Sequence, residues 1–349
     1  MTRLATARLA ALILAPALLA TAVQAAPQSE TQNALGLASG LNLVVFKNFY
    51  ASSSDVEGRV AVGGDMQVGG YSINTKGSGA LYGGQGLTVG GKLQAGSGSY
   101  WGSTVVGGNL DSSGGASFRG DVRVGGNLNA NNQWLTADSL VYGGSASGVT
   151  PWQNPRPQQA AAGSSLDLGF DFAAQQARLS GLSLQLDALT NTGTTAKPWS
   201  TFELDARGAK LAVFDVAAAD VNNNLALLNL GGDSTVIINV HGNSVTFGGH
   251  GITNFNAGRV LFNLVDATSV SFSGGMVASF LAPNADFNTS WGHIDGQVIA
   301  RSWSGSVQVN DAPFSGLISA VPEPGSWAML LAGLGVIAYV GGRRQRRSF

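Results

Sequence analysis

Gly-Gly pairs recur through the first half of the chain, and five of them, Gly63-Gly64, Gly90-Gly91, Gly107-Gly108, Gly125-Gly126 and Gly143-Gly144, share their surroundings and stand 27, 17, 18 and 18 residues apart. Apolar residues flank the pairs at every second position. Val60 and Val62 precede the first pair, and Met66 and Val68 follow it. Leu87 and Val89 precede the second, with Leu93 and Ala95 after; Val122 and Val124 precede the fourth, with Leu128 and Ala130 after. Alternation with period two marks a strand with one buried face. Two short strands per repeat at a period near 18 predict a solenoid coil. One coil cannot bury its own apolar face, so the repeats must stack. On this reading Gly-Gly turns the corner, because glycine takes φ > 0 without steric cost. The 27-residue interval is then a coil carrying a loop around residues 71–79. The alternative is an antiparallel sandwich whose hairpins carry Gly-Gly. The regular spacing favours a parallel β-helix, and the crossover rule favours right-handed winding.

Composition agrees with a chain of short strands and tight turns. Of 349 residues, 50 are Gly, 11% are charged, 44% are hydrophobic and none is Cys. Low charge with high apolar content argues against global disorder. The absence of Cys excludes a disulfide framework and thiolate metal sites. The net charge of −1 hides basic ends: Arg3 and Arg8 at the start, Arg343, Arg344, Arg346 and Arg347 at the finish. Setting these six aside leaves 13 basic residues against 19 acidic ones once Glu323 is also dropped, a body of about −6. Such a body is a poor nucleic-acid binder, since that affinity comes mainly from phosphate neutralisation.

The repeat pattern stops near Thr150. PWQNPRP, residues 151–157, holds three prolines in seven positions and cannot form regular structure. A helix is expected next, with Asp171 as N-cap and an apolar stripe of Phe172, Leu179, Leu182, Leu186 and Leu189. It would lie along the solenoid and cover one face, or else link two domains. Strand alternation resumes near Thr201 in STVIINVHG, RVLFNLVDA, SVSFSGGMVASFLAP and HIDGQVIARSW, and ends near Phe314. The segments are therefore 34–150 (first coils), 151–200 (Pro-rich loop and helix), 201–316 (further coils) and 317–325 (tether).

Both ends carry addresses. Arg3 and Arg8 precede an apolar run from Leu9 to Ala20, and Val23-Gln24-Ala25 puts small residues at −3 and −1. Residues 1–25 thus read as a signal peptide cut after Ala25, ahead of a short leader, 26–33. Cutting after Ala26 would set Pro27 beside the scissile bond. The other reading is an uncleaved anchor, for which the run is short. At the far end, Pro322-Glu323-Pro324 is followed by an uncharged apolar run, 326–342, and a basic tail, 343–349. Seventeen residues rise about 25 Å, a short transmembrane span. The arginines stay cytoplasmic by the positive-inside rule. This order of motif, span and Arg cluster resembles the PEP-CTERM sorting signal of Gram-negative bacteria. The resemblance implies export by the Sec and signal-peptidase machinery, transient membrane anchoring and processing by an exosortase near Pro322 to Pro324. A permanent single-span anchor is the alternative.

The body resembles the choice-of-anchor A family. The matching segments are LGLASGLNLVVFKNFYASSSDVEGRVAVGGD (35–65), GRVLFNLVDATSVSFSGGMVASFLAPNADF (258–287) and GHIDGQVIA (292–300). What this implies is a β-helical, adhesin-like extracellular domain with no catalytic residue set. Similar LAP and GQV segments occur in β-helical ice-binding proteins with a helix packed alongside.

The chemistry-bearing residues are sparse. His241, His250 and His293 are the only histidines; His241 and His250 are nine apart with no carboxylate at metal-ligand spacing beside them, and the histidines are expected at surface corners. Asp55 and Glu57 flank Gly58, where turn capping and an ion pair to Arg59 compete with Ca²⁺ or hydroxyl binding. Asp65, Asp121 and Asp233 sit beside Gly in turns. Tyr71, Tyr82, Tyr100 and Trp101 form either an aromatic sugar platform or core packing. No GxSxG, HExxH, P-loop or EF-hand loop is present. No cofactor, metal or catalytic residue is expected. The reading is a non-enzymatic structural or adhesin-like protein of the cell envelope or exopolysaccharide matrix, meeting exopolysaccharide or a neighbouring cell. A polysaccharide-active β-helix enzyme and an ice-binding-like protein are the alternatives.

Overall fold

The strands that flank the Gly-Gly pairs stack in parallel, as the alternation predicts. The computed structural model describes residues 35–77, 84–249 and 251–318. Ala25, Ala26, Pro322, Glu323, Pro324, Arg343, Arg344, Arg346 and Arg347, with the expected signal peptide and transmembrane run, lie outside the described residues, as do Tyr82 and His250. Strands Val60–Val62, Gln85–Val89, Ser103–Val106, Asp121–Val124 and Ser139–Tyr142 form one ladder, with Val62, Val89, Val106 and Val124 in line. The strands after the pairs form a second, with Met66, Leu93, Leu110 and Leu128 in line. Continuing strands Ser99–Trp101 and Ser117–Arg119 join the end of Met66–Ile73 in a third. The inward residues of the three ladders make one continuous apolar core. Stacked rings run through it, Phe287 on Trp303 on Phe49 at centroid separations of 5.8 and 6.0 Å. Parallel pairing decides against the antiparallel sandwich. Among the described residues the antiparallel pairing is that of Thr194–Ala196 with Thr201–Asp205.

The corner glycines act differently from expectation. None of the ten adopts a left-handed φ. Each corner instead lies directly on the one beneath. A Cβ on Gly90 would sit 2.4 Å from the Gly63 carbonyl oxygen, and one on Gly107 or Gly125 2.4 Å from that of Gly90 or Gly107. Hydrogen bonds run through the corners: Gly107 N–H donates to Val89 (2.7 Å) and Gly108 N–H to Gly91 (2.9 Å). Glycine is needed for close approach, since any side chain would wedge the coils apart.

The order of stacking departs from the order of the chain. Strand Leu43–Val45 pairs on one side with Val60–Val62 and on the other with Val298–Ser304. Strands Ser279–Asp295, Val260–Leu264, Thr235–His241 and Leu211–Ala217 follow outward from Val298–Ser304 in that order. The chain therefore begins inside the stack and winds to one end at Gln158–Gln159. It then crosses back along the outside and winds inward again from Leu211. The first ladder has twelve strands, about 50 Å at ordinary interstrand spacing.

The return segment includes the helix, Phe172–Asp187. The Asp171 carboxylate caps it, accepting from Ala174 N–H at 3.0 Å. Leu179 and Leu186 are buried and Phe172, Leu182 and Leu189 half-buried, all packed with outward apolar residues of the first ladder, among them Val213, Ile237, Leu261, Leu281 and Ile299. Sixteen residues rise about 24 Å, enough for these five strands. The expected helix thus covers one face. Side chains imitate a strand at one end of the third ladder, beside Leu135, and at one end of the first, beside Leu211–Ala217. The Gln153 carboxamide accepts from Leu135 N–H (3.0 Å) and donates to Leu135 C=O (2.7 Å). The Thr192 hydroxyl accepts from Val213 N–H (2.9 Å) and donates to Leu211 C=O (2.9 Å).

Candidate functional site

Parallel register turns the alternation into surface rows. On the second ladder the outward residues align as Thr246, Ser271, Asn288, Ser304, Tyr50, Gln67, Gln94, Asp111, Asn129 and Ser147. Asp111, the charged member, is paired with Lys92 at 2.6 Å. Beside this row the corner amides form a ladder. Asn48 Oδ1 accepts from Asp65 N–H (3.0 Å), Asp65 Oδ1 from Lys92 N–H (2.8 Å), Asn109 Oδ1 from Asn127 N–H (2.8 Å) and Asn127 Oδ1 from Ser145 N–H (2.9 Å). The expected turn role of Asp65 is therefore to tie one corner to the next. Asp121 accepts from the Ser139 hydroxyl at 2.6 Å, and Asp233 is exposed, 3.6 Å from Arg259.

The aromatic set divides. Tyr71 and Tyr100 are fully buried, and burial pushes both phenols above their ordinary pKa. They pack in the core, Tyr100 4.9 Å from Phe118 and Tyr71 edge-on to Phe49. Trp101 alone of the described members is exposed, with the Arg119 guanidinium 5.2 Å from its ring. No platform forms from these residues, because strand alternation turns the tyrosines inward and the tryptophan outward.

Around Gly58 the pairing also differs from expectation. Glu57 bonds Lys76 at 2.7 Å and accepts from Asp311 N–H at 2.9 Å; Arg59 is buried. Burial acts to raise the Glu57 pKa, but the Lys76 and Asp311 bonds outweigh it and hold it below its ordinary value. Asp55 is raised, first by burial and then by Glu57.

His241 ends a strand at a corner, as expected, but carboxylates surround it. Its Nε2 is 3.4 Å from Asp187 and its Nδ1 3.2 Å from Asp266. Asp187, Asp215 and His241 place ligand-type atoms within 4.8 Å of one another. Asp215 is already engaged at both oxygens, by Asn191 (2.8 Å) and Asn239 (3.0 Å). The group ties the end of the helix to the sheet. Asn239 also donates to the Leu186 carbonyl (3.1 Å), and Asn263 bonds Ser183 (2.9 Å) and Asn239 (2.9 Å). Asp215, Asn239 and Asn263 lie 24 residues apart in AVFDVA, VIINVH and VLFNLV, a second repeat that was visible in the sequence. His293 lies within a strand, 3.9 Å from Asp295.

With this geometry in place, residues 34–311 match the family model described as "Putative Ice-binding-like adhesive domain". The chain belongs to this family. Residues 320–347 match the PEP-CTERM protein-sorting motif. Both agree with the resemblances seen in residues 35–65, 258–300 and 321–347. No curated protein and no solved structure matches the chain. The matched residues take in all three ladders, from Leu43 to Asn310. Among the described residues no helix is long and apolar enough to cross a membrane.

Proposed function

We propose that the chain is a non-enzymatic, adhesin-like structural protein that an exosortase sorts through its PEP-CTERM tail to the Gram-negative envelope or exopolysaccharide matrix. There its parallel, right-handed β-helix meets exopolysaccharide or a neighbouring cell, after a signal peptide cut between Ala25 and Ala26 and a transient inner-membrane anchor. The observation that carries this reading is the joint presence of an adhesive domain and a sorting motif in one chain. The long, nearly charge-neutral outward row supports it. A repeated polar surface favours many weak contacts, which add through avidity. The row mixes Thr, Ser, Asn, Gln, Asp and Tyr, whereas the ice-binding alternative asks for a flat face with Thr or similar residues in register.

A deletion strain and a glycan array test the proposal. Loss of surface attachment or matrix integrity, with saturable glycan binding by the purified chain, is expected. Normal matrix and attachment with no glycan bound would sink it. Mass spectrometry of the cell-associated protein tests the sorting: an end near Pro322 is expected, and an intact Arg347-Ser348-Phe349 would overturn it.

A further inference from the structure

We infer that a cleft in the second half of the body binds a single hydroxyl-rich sugar unit of an extracellular polysaccharide. This rests on the adhesive reading above. The cleft measures about 530 Å³, inside the range of about 300–1,000 Å³ typical of small-molecule sites. It is lined by residues of the corner segments 229–234 and 254–259, with Val236 and Val260 among its apolar lining.

The polar lining suits sugar hydroxyls. Asn229 and Asn254 hold left-handed backbone at φ 52° and 63°, conformations Asn tolerates. Their Nδ2 groups each donate one hydrogen, to Asp205 (2.9 Å) and to the Leu227 carbonyl (3.0 Å), which orients each Oδ1 as an acceptor. Asn256 is oriented the other way: its Oδ1 accepts from Gly258 N–H at 3.0 Å, which leaves the amide as a donor. The Arg259 guanidinium is held only loosely by exposed Asp233, at 3.4 and 3.6 Å. It is a fork donor ready for vicinal hydroxyls or a uronate carboxylate. Half-buried Phe255 lines the same cleft, fixed by stacking on buried Phe262 at 6.1 Å and 15°. A flat aromatic beside mixed donors and acceptors matches a pyranose, which has an apolar C–H face and a polar rim.

The purified full chain is titrated with cellohexaose, mannohexaose, chitohexaose and oligogalacturonate, with binding read by saturation-transfer NMR and calorimetry. At least one should bind saturably. Arg259→Ala should weaken that binding about tenfold, as expected for one lost hydrogen bond to a charged group. Asn254→Gly, which keeps the left-handed backbone, should weaken it in the same direction. Trp101→Ala, on another part of the body, should not. Arg259→Ala and Trp101→Ala should melt with the parent, and Asn254→Gly, which gives up the bond to the Leu227 carbonyl, should melt a few degrees lower but remain folded at the assay temperature. No saturable binding by any of the four, or binding unchanged by both cleft substitutions, would overturn the inference. Binding that survives both but falls in Trp101→Ala would overturn the cleft while leaving the adhesive reading in place.

Discussion

A glycine between two stacked backbones and a glycine on an open helix face respond oppositely to a methyl group. At Gly107 the added carbon meets a carbonyl oxygen at 2.4 Å inside a continuous ladder. Gly107→Ala should destabilise the body by about 1–3 kcal/mol, as other overpacked sites do. At Gly181, in the helix, nothing lies within 4 Å. Gly181→Ala should stabilise by about 0.5–1 kcal/mol. Urea unfolding of both variants checks the contrast. Equal effects would mean that the corner approach is not what demands glycine. Acid sensitivity is also set by single residues. The Arg301 guanidinium bonded to Asp286 holds that carboxyl below its ordinary pKa. The unfolded chain therefore takes up this proton first. The contribution is complete above the unfolded pKa of about 4 and is lost as pH falls through the lower folded value. Both side chains are 39% exposed, so the gain is under about 1 kcal/mol. Arg301→Gln should lower stability at pH 7 and flatten the acid limb of the unfolding midpoint against pH.

Between helix and sheet, two buried amides replace what would otherwise be apolar contact. Asn263 and Asn239 are fully buried, and each bonds both the helix and a neighbouring strand. Asn263→Ala leaves the Ser183 hydroxyl and the Asn239 carboxamide short of a partner, at a cost of about 2–3 kcal/mol. Asp171→Ala, which removes the exposed cap, should cost about 1 kcal/mol. Thermal unfolding followed by circular dichroism ranks the two, and the reverse order would mean that the cap and not the amide pair fixes the helix. These elements also mark how far sequence reasoning reached. Period-two alternation and the 18-residue spacing are local, so the coils were legible, as were the Asp171 cap and the Leu179–Leu186 stripe. The Asp187–Asp215–His241 group was not, because its members come from one helix and two coils and meet only through stacking. The cleft escaped for the same reason: Asn229, Asn254 and Arg259 look like ordinary turn residues until register brings their loops together. The buried state of Tyr71 turns on strand phase, which a loop-bearing 27-residue coil conceals; that of Tyr100 was legible in its 18-residue alignment with Phe118.

On the scale of the whole body, the pairing of Leu43–Val45 with Val298–Ser304 left no local trace, since its partners stand about 255 residues apart. Yet it decides how the stack responds to load. An adhesive protein held by its C-terminus is pulled through residues 311–318, where Phe314 is buried against the helix-side core. Beyond that strap the first coil to be drawn out is not an outer layer. It lies between Ser279–Asp295 on one side and Leu43–Val45 on the other. Tension must therefore shear two ladders together before any coil can unwind. A single-molecule pull from the C-terminus should show one high-force event followed by rapid collapse. A circular permutant opened between residues 163 and 164, joined at its original ends and pulled from residue 163, should lose its outer coils in several smaller steps. Stepwise unwinding in the native connectivity would show that the interior placement of the last coil confers no resistance to tension.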